Sequence, residues 1–556
     1  MNRSCIGRLL VAVLLLTHVP LLATDYYVSK SAGGASNSND GLSPTFTGGT
    51  NGPWLTITKC ASTIAAGDSC NIIAGASGYD ERVGSANSGT SANYIVYRGY
   101  PTGGTKPVVR GFALSNKSYI EISGLEITSS GLTNDGVASI LVQGNSSIST
   151  GLKLINNYIH DTAGQAVRCA FNTLWCDGLI VRGNTMTLIG PAWDGMSGGR
   201  APIVDVWCTN CLIESNDMSR GEDFIRIRGD YNVIRNNVFH DSDERETAKG
   251  ASHIDVFQGY CATGGPTPKS FNYLLVEGNI YHNDTYAEVP AAQLHTHFGL
   301  QNDTTDCGGS TTVIVRYNIA RNLGSYFYTT SASARQLNSS DNHKIYNNTI
   351  YRAGIGENPR MKTYLVEQVD QGGAPFVRDG AMINNILVDA GTPRNQRGYN
   401  FDGTTGSVGK NNLGYFTDGS TRWSEPMNTE RRAILNQNPQ FAETNTFALA
   451  PGSPARDAGA ALTTVHENDT GSGTSLILAD AHFFQAGWAT ANADHIAVGS
   501  PGNIATIRAI DYATNTVTLA SSISRKDGDS VWLYKRSDGA IVLIGSAPDV
   551  GAFESR

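Results

Sequence analysis

Ile213-Glu-Ser-Asn-Asp-Met218 reads as an apolar residue, two variable residues, Asn216, one variable residue and a second apolar residue. The phrase recurs around Asn157 (LINNYI), Asn184 (VRGNTM), Asn237 (IRNNVF), Asn279 (VEGNIY), Asn318 (VRYNIA), Asn348 (IYNNTI), Asn385 (INNIL) and Asn412 (GKNNLGYF). Successive Asn residues lie 27, 32, 21, 42, 39, 30, 37 and 27 positions apart. A solenoid with loops of unequal length gives such spacing. Each phrase is then a strand-turn-strand corner, and stacking the coils sets each amide above the last, where it hydrogen-bonds to neighbouring turns. Short alternating runs surround the phrases, among them Tyr119-Ile-Glu-Ile122, Ser139-Ile-Leu-Val142, Phe224-Ile-Arg-Ile-Arg228 and Val313-Ile-Val-Arg316, and no long amphipathic helix accompanies them. This pattern predicts an all-β chain folded as a right-handed parallel β-helix.

Working outward, Arg3 and Arg8 flank the start of an apolar run over 9–16, and Ala23 offers a small residue for cleavage. Residues 1–23 read as a secretory signal peptide, too short to span a bilayer, so the expectation is a secreted or periplasmic protein with no membrane segment after the signal. Residues 24–115 read as an N-terminal helical cap and first coils, the helix lying over 54–64. The β-helix occupies 116–465. A differently patterned segment, 466–544, reads as a small antiparallel β insert, and 545–556 as a closing segment that meets Gly452-Ser-Pro-Ala-Arg-Asp-Ala-Gly459. In the insert, Trp488, Trp532 and Tyr534 form either its own core, the simpler reading, or a sugar-binding surface.

The chain has 41 basic and 49 acidic residues, 16% charged in all, and 62 glycines. A net negative chain excludes general nucleic-acid binding, while a local basic groove still suits an acidic polysaccharide. Apart from Cys5, the cysteines fall in close pairs: Cys60/Cys70, Cys169/Cys176, Cys208/Cys211 and Cys261/Cys307. An even count in an exported chain predicts disulfides closing local loops. A zinc or redox site at Cys208 and Cys211 is the weaker alternative, since no second CxxC or His pair accompanies it.

The stretches GDSCNIIAGASGYDE (67–81) and YIVYRGYPTGGTKPVVRG (94–111), with the ending SPARDAG (453–459) and APDVGAFE (547–554), resemble secreted bacterial β-helix proteins of the pectin-lyase-like superfamily. The resemblance implies the fold and raises the expectation of a polysaccharide lyase or glycosidase. It carries over no catalytic residue. WIDH and RxPxxR are absent, Asp205 standing where the second Arg after Arg200-Ala-Pro202 would be, and so is the NTD, DD, GHG and RIK set of polygalacturonases.

Aligning the runs that follow the Asn phrases puts Val167/Cys169, Val204/Val206, Ile225/Ile227, Ile254/Val256 and Phe298/Leu300 inward. The outward middle column then reads Arg168, Asp205, Arg226, Asp255, Gly299. One flank reads Ala166, Ile203, Phe224, His253, His297 and the other Trp207, Arg228, Phe257, Gln301, with Glu222, Asp223 and Gln258 at strand ends. This is the densest set of aromatic and titratable side chains on one expected face. Trp193, Trp207 and Phe257 would stack on sugar rings, Gln258 would join them in binding substrate, and Arg226, Arg228 and Lys249 would hold a carboxylate or sulfate. For β-elimination, Arg226 or Arg228 neutralises a uronate and His253 or His297 is the base. Asp205, Asp223 and Asp255 would instead hold Ca²⁺, the one cofactor these residue types suggest. For inverting hydrolysis, Asp205 and Asp255 would be the acid-base pair, with Arg226 lowering both pKa values. An alternating ion ladder with only a structural role has the same appearance. His160, His240 and His282 recur at equivalent corners (NYIHD, NVFHD, NIYHN) and read as structural. The functional expectation is a monomeric enzyme cleaving an acidic polysaccharide by β-elimination. The alternatives are an inverting glycoside hydrolase, a non-catalytic binder or adhesin, and, less consistent with a signal peptide, a tailspike-like structural protein.

Overall fold

Within the coils every neighbouring pair of strands runs parallel, and the pairing follows chain order. The structure, a computed structural model, describes residues 23–555 except 135, 143–146, 170–175, 191–200, 242–253, 260–271, 284–295, 299–309, 324–326, 333–339, 354–363, 371–376, 390–396, 401–403, 421–429 and 444–445. The strand ahead of each ladder Asn joins one sheet, the first face, running from Asp25–Ser29 through Leu212–Glu214, Val233–Arg235, Leu274–Glu277, Ser310–Arg316 and Ser340–Tyr346 to Val408–Lys410. The strand after each Asn forms a second face, from Tyr158–His160 through Val238–His240 to Leu413–Tyr415. A third face follows with Val167–Cys169, Val204–Thr209, Ile225–Arg228, Ile254–Gly259 and Thr296–Phe298. Apolar side chains fill the space between the three, giving the parallel β-helix that the phrase predicts.

The nine Asn residues form one continuous amide ladder. In each, the side-chain Nδ2 and the backbone N–H both donate to Oδ1 of the next Asn at 2.9–3.0 Å, from Asn157 to Asn412. The second Nδ2 proton goes to a carbonyl of the preceding coil, such as Ile234 for Asn279 at 3.0 Å. Leu125 N–H donates to Asn157 Oδ1 at the start, and the Glu430 carboxylate accepts from Asn412 N–H and Nδ2 at the end. All nine are buried. A buried amide with every bond made adds about 1 kcal/mol per bond, and one left unsatisfied costs about 1–3 kcal/mol. The residue before each Asn turns the chain through the left-handed region: Asn156, Gly183, Ser215, Asn236, Gly278, Tyr317, Asn347, Asn384 and Asn411 have φ of 52–66°. Asn and Gly tolerate that region best, which is why the phrase so often reads Asn-Asn or Gly-Asn.

Near the N-terminus a helix spans Ile57–Thr63, capped by Thr56 Oγ1, which accepts from Lys59 N–H at 3.2 Å. It is shorter than the 54–64 expected because Trp54 lies ahead of the cap, stacked on Tyr26 at 4.9 Å. Cys60–Cys70, Cys169–Cys176 and Cys208–Cys211 are disulfide-bonded, which accounts for the CxxC pair; Cys261 and Cys307 lie outside the described residues, as do residues 1–22 of the expected signal peptide.

Six antiparallel strands between Thr463 and Lys535 form a separate sheet, ordered Thr463–Thr464, Ser530–Lys535, His495–Val498, Ile504–Asp511, Thr516–Arg525, Gly471–Ile477. The sheet is not a free appendage. Its core residues Trp488, Ile496, Val498 and Leu533 share one buried cluster with Leu212, Val233, Leu275 and Ile314 on the outer side of the first face. Trp488 is buried against Tyr231, Tyr273 and Tyr512, in line with the structural reading of that residue. The segments around 455–460 and 548–551 pair with each other (Gly459 N–H to Pro548 O, 2.7 Å; Val550 N–H to Ala455 O, 2.8 Å) and lie along the corner at Asn347 and Asn384.

Candidate functional site

Three rungs of the third face stack as expected. Val167, Val204 and Ile225 point inward in register, and Arg168, Asp205 and Arg226 follow one another outward, with Trp207 beside Arg228. Strand Ile254–Gly259 departs from the expected register. Ile225 pairs with Phe257, Arg226 with Gln258 and Ile227 with Gly259, a slip of three residues. An odd slip exchanges inward for outward positions. Phe257 is therefore fully buried in the core and not a sugar platform, and Gln258 takes the middle-column place expected for Asp255. The sequence was ambiguous because Ile254 and Val256 offer one apolar parity and Phe257 the other. The strand keeps all three buried, with an irregularity between Asp255 and Phe257 against the next rung. The flank expected to face outward is also corrected: Ala166, Ile203 and Phe224 are fully buried, Phe224 edge-on to Phe239 at 5.5 Å.

Asp255 stands at the level of Asp223. Its N–H donates to Asp223 Oδ1 at 3.0 Å, and its carbonyl accepts from Phe224 N–H at 2.9 Å. Asp223 Oδ2 accepts from Arg226 Nε at 2.7 Å. Both Asp223 oxygens thus hold a buried corner and orient Arg226. The expected calcium trio of Asp205, Asp223 and Asp255 is not assembled, and no three His, Cys, Asp or Glu side chains among the described residues gather in a group that could hold a metal. The Asp205–Asp255 acid-base pair fails for the same register reason.

What the third face does bring together is a compact charged patch. Arg226 is one-third exposed, fixed by Asp223, with Glu222 at 4.0 Å. Burial works against its charge, but Asp223, Glu222 and Asp205 outweigh it and hold the guanidinium more firmly ionised. Half-buried Asp205 lies between Arg168 and Arg226. Burial pushes its carboxyl up from the ordinary range, against the pull of Arg226, Arg168 and Arg228, with Asp223 adding to the rise. Arg226 does pull the carboxyl down as expected, but desolvation outweighs that pull and the net shift is upward. The Arg228 guanidinium lies 4.1 Å from the centre of the Trp207 ring, fixing both.

His253, Lys249 and Trp193 lie outside the described residues, and for His297 only the backbone is described, paired with Asp255. Of the recurring corner histidines, His160 and His240 are held by carboxylates, and the His282 ring stacks on His240 at 5.3 Å. His240 lies 2.9 Å from both Asp241 and Asp217, and His160 contacts Asp161 and Glu126.

Sequence reasoning missed a second charged column. Two residues before successive ladder Asn residues stand Arg182, Glu214, Arg235, Glu277 and Arg316, in register on the first face. Position relative to the Asn was the signal that would have found it. Arg182 and Arg235 (2.7 Å) both bind Glu214. Arg235 reaches Ser537, whose hydroxyl donates to Glu277, and Arg316 Nε donates to Glu277 at 2.7 Å. Fully buried Arg316 also makes two bonds to Asp494, at 2.7 and 2.8 Å, and one to Tyr346 Oη at 2.8 Å. Ser537 and Asp494 come from the antiparallel part of the chain, so the column is its docking seam.

No protein-family model matches the chain, and no curated protein matches it. Among solved structures it is similar to pectate lyase Pel9A, at 12% identity over 96% of this chain and 98% of that one, with a TM-score of 0.41. It is also similar to a GH136 lacto-N-biosidase from Eubacterium ramulus (12% identity, 74% and 68% covered, TM-score 0.40). A third is a mannuronic acid specific polysaccharide family 6 lyase from human gut microbiota (13%, 70% and 91%, TM-score 0.38).

Proposed function

We propose that the chain is a carbohydrate-active enzyme that binds an extended acidic polysaccharide along the third face and cleaves it by β-elimination. The observation carrying this reading is Asp205, a carboxyl raised by burial, set in one column between Arg168 and Arg226 and next to the Trp207–Arg228 stack. Arg226, oriented by Asp223 and still partly exposed, is the group to neutralise a uronate carboxylate, which acidifies the adjacent ring C–H. A base then takes that proton, its bonding pair forms the ring C=C, and the glycosidic C–O bond breaks as the leaving oxygen gains a proton. Asp205 joins His253 and His297 as a candidate for one of the two proton transfers, because burial holds its carboxyl above the ordinary carboxylate range. Inverting hydrolysis is less favoured, since the register separates Asp255 from the Asp205 column. Trp207 is proposed to contact the sugar, whereas Gln258, expected to join it, is buried; the disulfides fit an exported protein.

The test is incubation with a panel of uronate-containing and neutral polysaccharides, with and without Ca²⁺, following unsaturated product and reducing ends together. Both rising on a uronate polymer supports elimination. Reducing ends alone mean hydrolysis, and silence across the panel favours the binding or adhesive alternative.

A further inference from the structure

Where the antiparallel sheet meets the last rungs of the first face, a cleft of about 520 Å³ opens between them. That volume lies within the range that encloses small ligands. Both units build it: Lys344, Val408 and Lys410 come from the coils, and His482, Phe483 and Asn515 from the antiparallel part. Its cations differ. Lys344 is committed, its ammonium 2.6 Å from the Asp480 carboxylate and 2.6 Å from the Asp379 carbonyl. Lys410 donates to the Ala461 carbonyl at 3.0 Å and has no carboxylate within ion-pair distance among the described residues. Burial first, and Arg432 and Arg431 second, hold its ammonium below the ordinary lysine range, a condition that an incoming anion relieves.

The rest of the lining selects among anions. Exposed Asp379 and ion-paired Asp480 repel a multiply charged group such as phosphate or sulfate. Asn515 Oδ1 accepts from Ala481 N–H, which directs its Nδ2 donors elsewhere, and Asn342 supplies a second amide for hydroxyl groups. Val408, Leu462 and Phe483 give the cleft an apolar wall that a bare carboxylate would not use. One negative charge, several hydroxyls and one apolar ring face describe a sugar acid.

We propose that this cleft is a binding site for a single uronate residue, free or at the end of an acidic glycan, with Lys410 meeting its carboxylate. The site is on the first face, apart from the third-face patch, and the proposal stands whether or not the third face cleaves anything.

The experiment is calorimetric titration of the full chain with D-galacturonate, D-glucuronate, a short oligouronate, a neutral methyl galactoside and acetate. Uronate or oligouronate should bind, with the galactoside and acetate at least about tenfold weaker. Binding of the monosaccharide as well as the oligomer identifies free sugar acid as sufficient, whereas oligomer alone identifies a glycan end. Lys410→Met should weaken binding about tenfold or more, and Lys410→Arg should retain it within a few-fold. Val408→Glu, at a half-exposed wall position where folding tolerates a charge, should abolish binding and guards against a misfolded Lys410 variant. Acetate binding as tightly as uronate, or no uronate binding at all, overturns the proposal. So does binding that survives Lys410→Met and Val408→Glu but is lost in Arg226→Ala, which would place it on the third face.

Discussion

Two charged columns climb this molecule, and they differ in what covers them. On the first face, Glu214–Arg235–Glu277–Arg316 is buried beneath the antiparallel sheet, where Ser537 and Asp494 complete the bonds, while Arg182 stays exposed at the open end. On the third face, Arg168, Asp205 and Arg226 are only partly buried, and Arg226 keeps a third of its side chain exposed. The same alternation of sign therefore does two jobs. Buried and fully bonded, it fixes how two parts of the chain dock. Half-buried, it leaves a carboxyl displaced from its ordinary pKa beside partly exposed guanidinium, the condition for handling a charged substrate.

The contrast is broken most severely at Arg316. Arg316→Met leaves Glu277 and Asp494 buried without their cation, so unfolding stability should fall by about 3–5 kcal/mol. Limited proteolysis should also cut within 463–535 faster than in the parent; an unchanged melt and digestion pattern would mean that the sheet docks without this column. The amide ladder offers a neutral comparison to the ionic one. Asn279→Ala strips the acceptor from two Asn237 donors and should cost about 2–4 kcal/mol by denaturant titration. A loss under about 1 kcal/mol would show that the coils close over the gap.

Acid sharpens the comparison through His343, buried on the first-face strand Ser340–Tyr346, its Nε2 3.0 Å from Ser310 Oγ. Burial lowers its pKa from 6.5 to about 4. A folded value below the unfolded one means the neutral form is favoured on folding. Stability is then full above 6.5 and is lost as pH falls from 6.5 toward about 4, by roughly 3 kcal/mol. Denaturant midpoints across that window should show the loss, and His343→Gln should flatten it. The smallest effect belongs to the ladder's last acceptor. Glu430→Gln keeps one acceptor oxygen for Asn412 and loses the second along with the charge, so it should cost about 1–1.5 kcal/mol.

The coil architecture was legible because it repeats. Each Asn phrase carries its own turn, its own buried amide and its own flanking strands, so nine weak signals point to one fold. The third face was legible for the rungs of Val167, Val204 and Ile225, where a single parity is apolar. It failed at Ile254–Gly259, where adjacent Val256 and Phe257 satisfy either parity and the choice falls to Asp223, whose carboxylate anchors the Asp255 N–H. The pKa of Asp205 was misjudged because a sequence shows neighbouring cations but not the solvent removed. The docking column was missed because it looks outward until its roof, some 180 residues further along for Arg316 and Asp494, is folded onto it.

The most direct test of the division of labour is turnover of a uronate polysaccharide by Arg226→Ala, measured beside its melting curve. The account predicts loss of unsaturated product while the chain stays folded at the assay temperature, with stability lower by about 1–3 kcal/mol because buried Asp223 loses its cation. Turnover equal to the parent's would contradict it, leaving the third-face column as structural as the first.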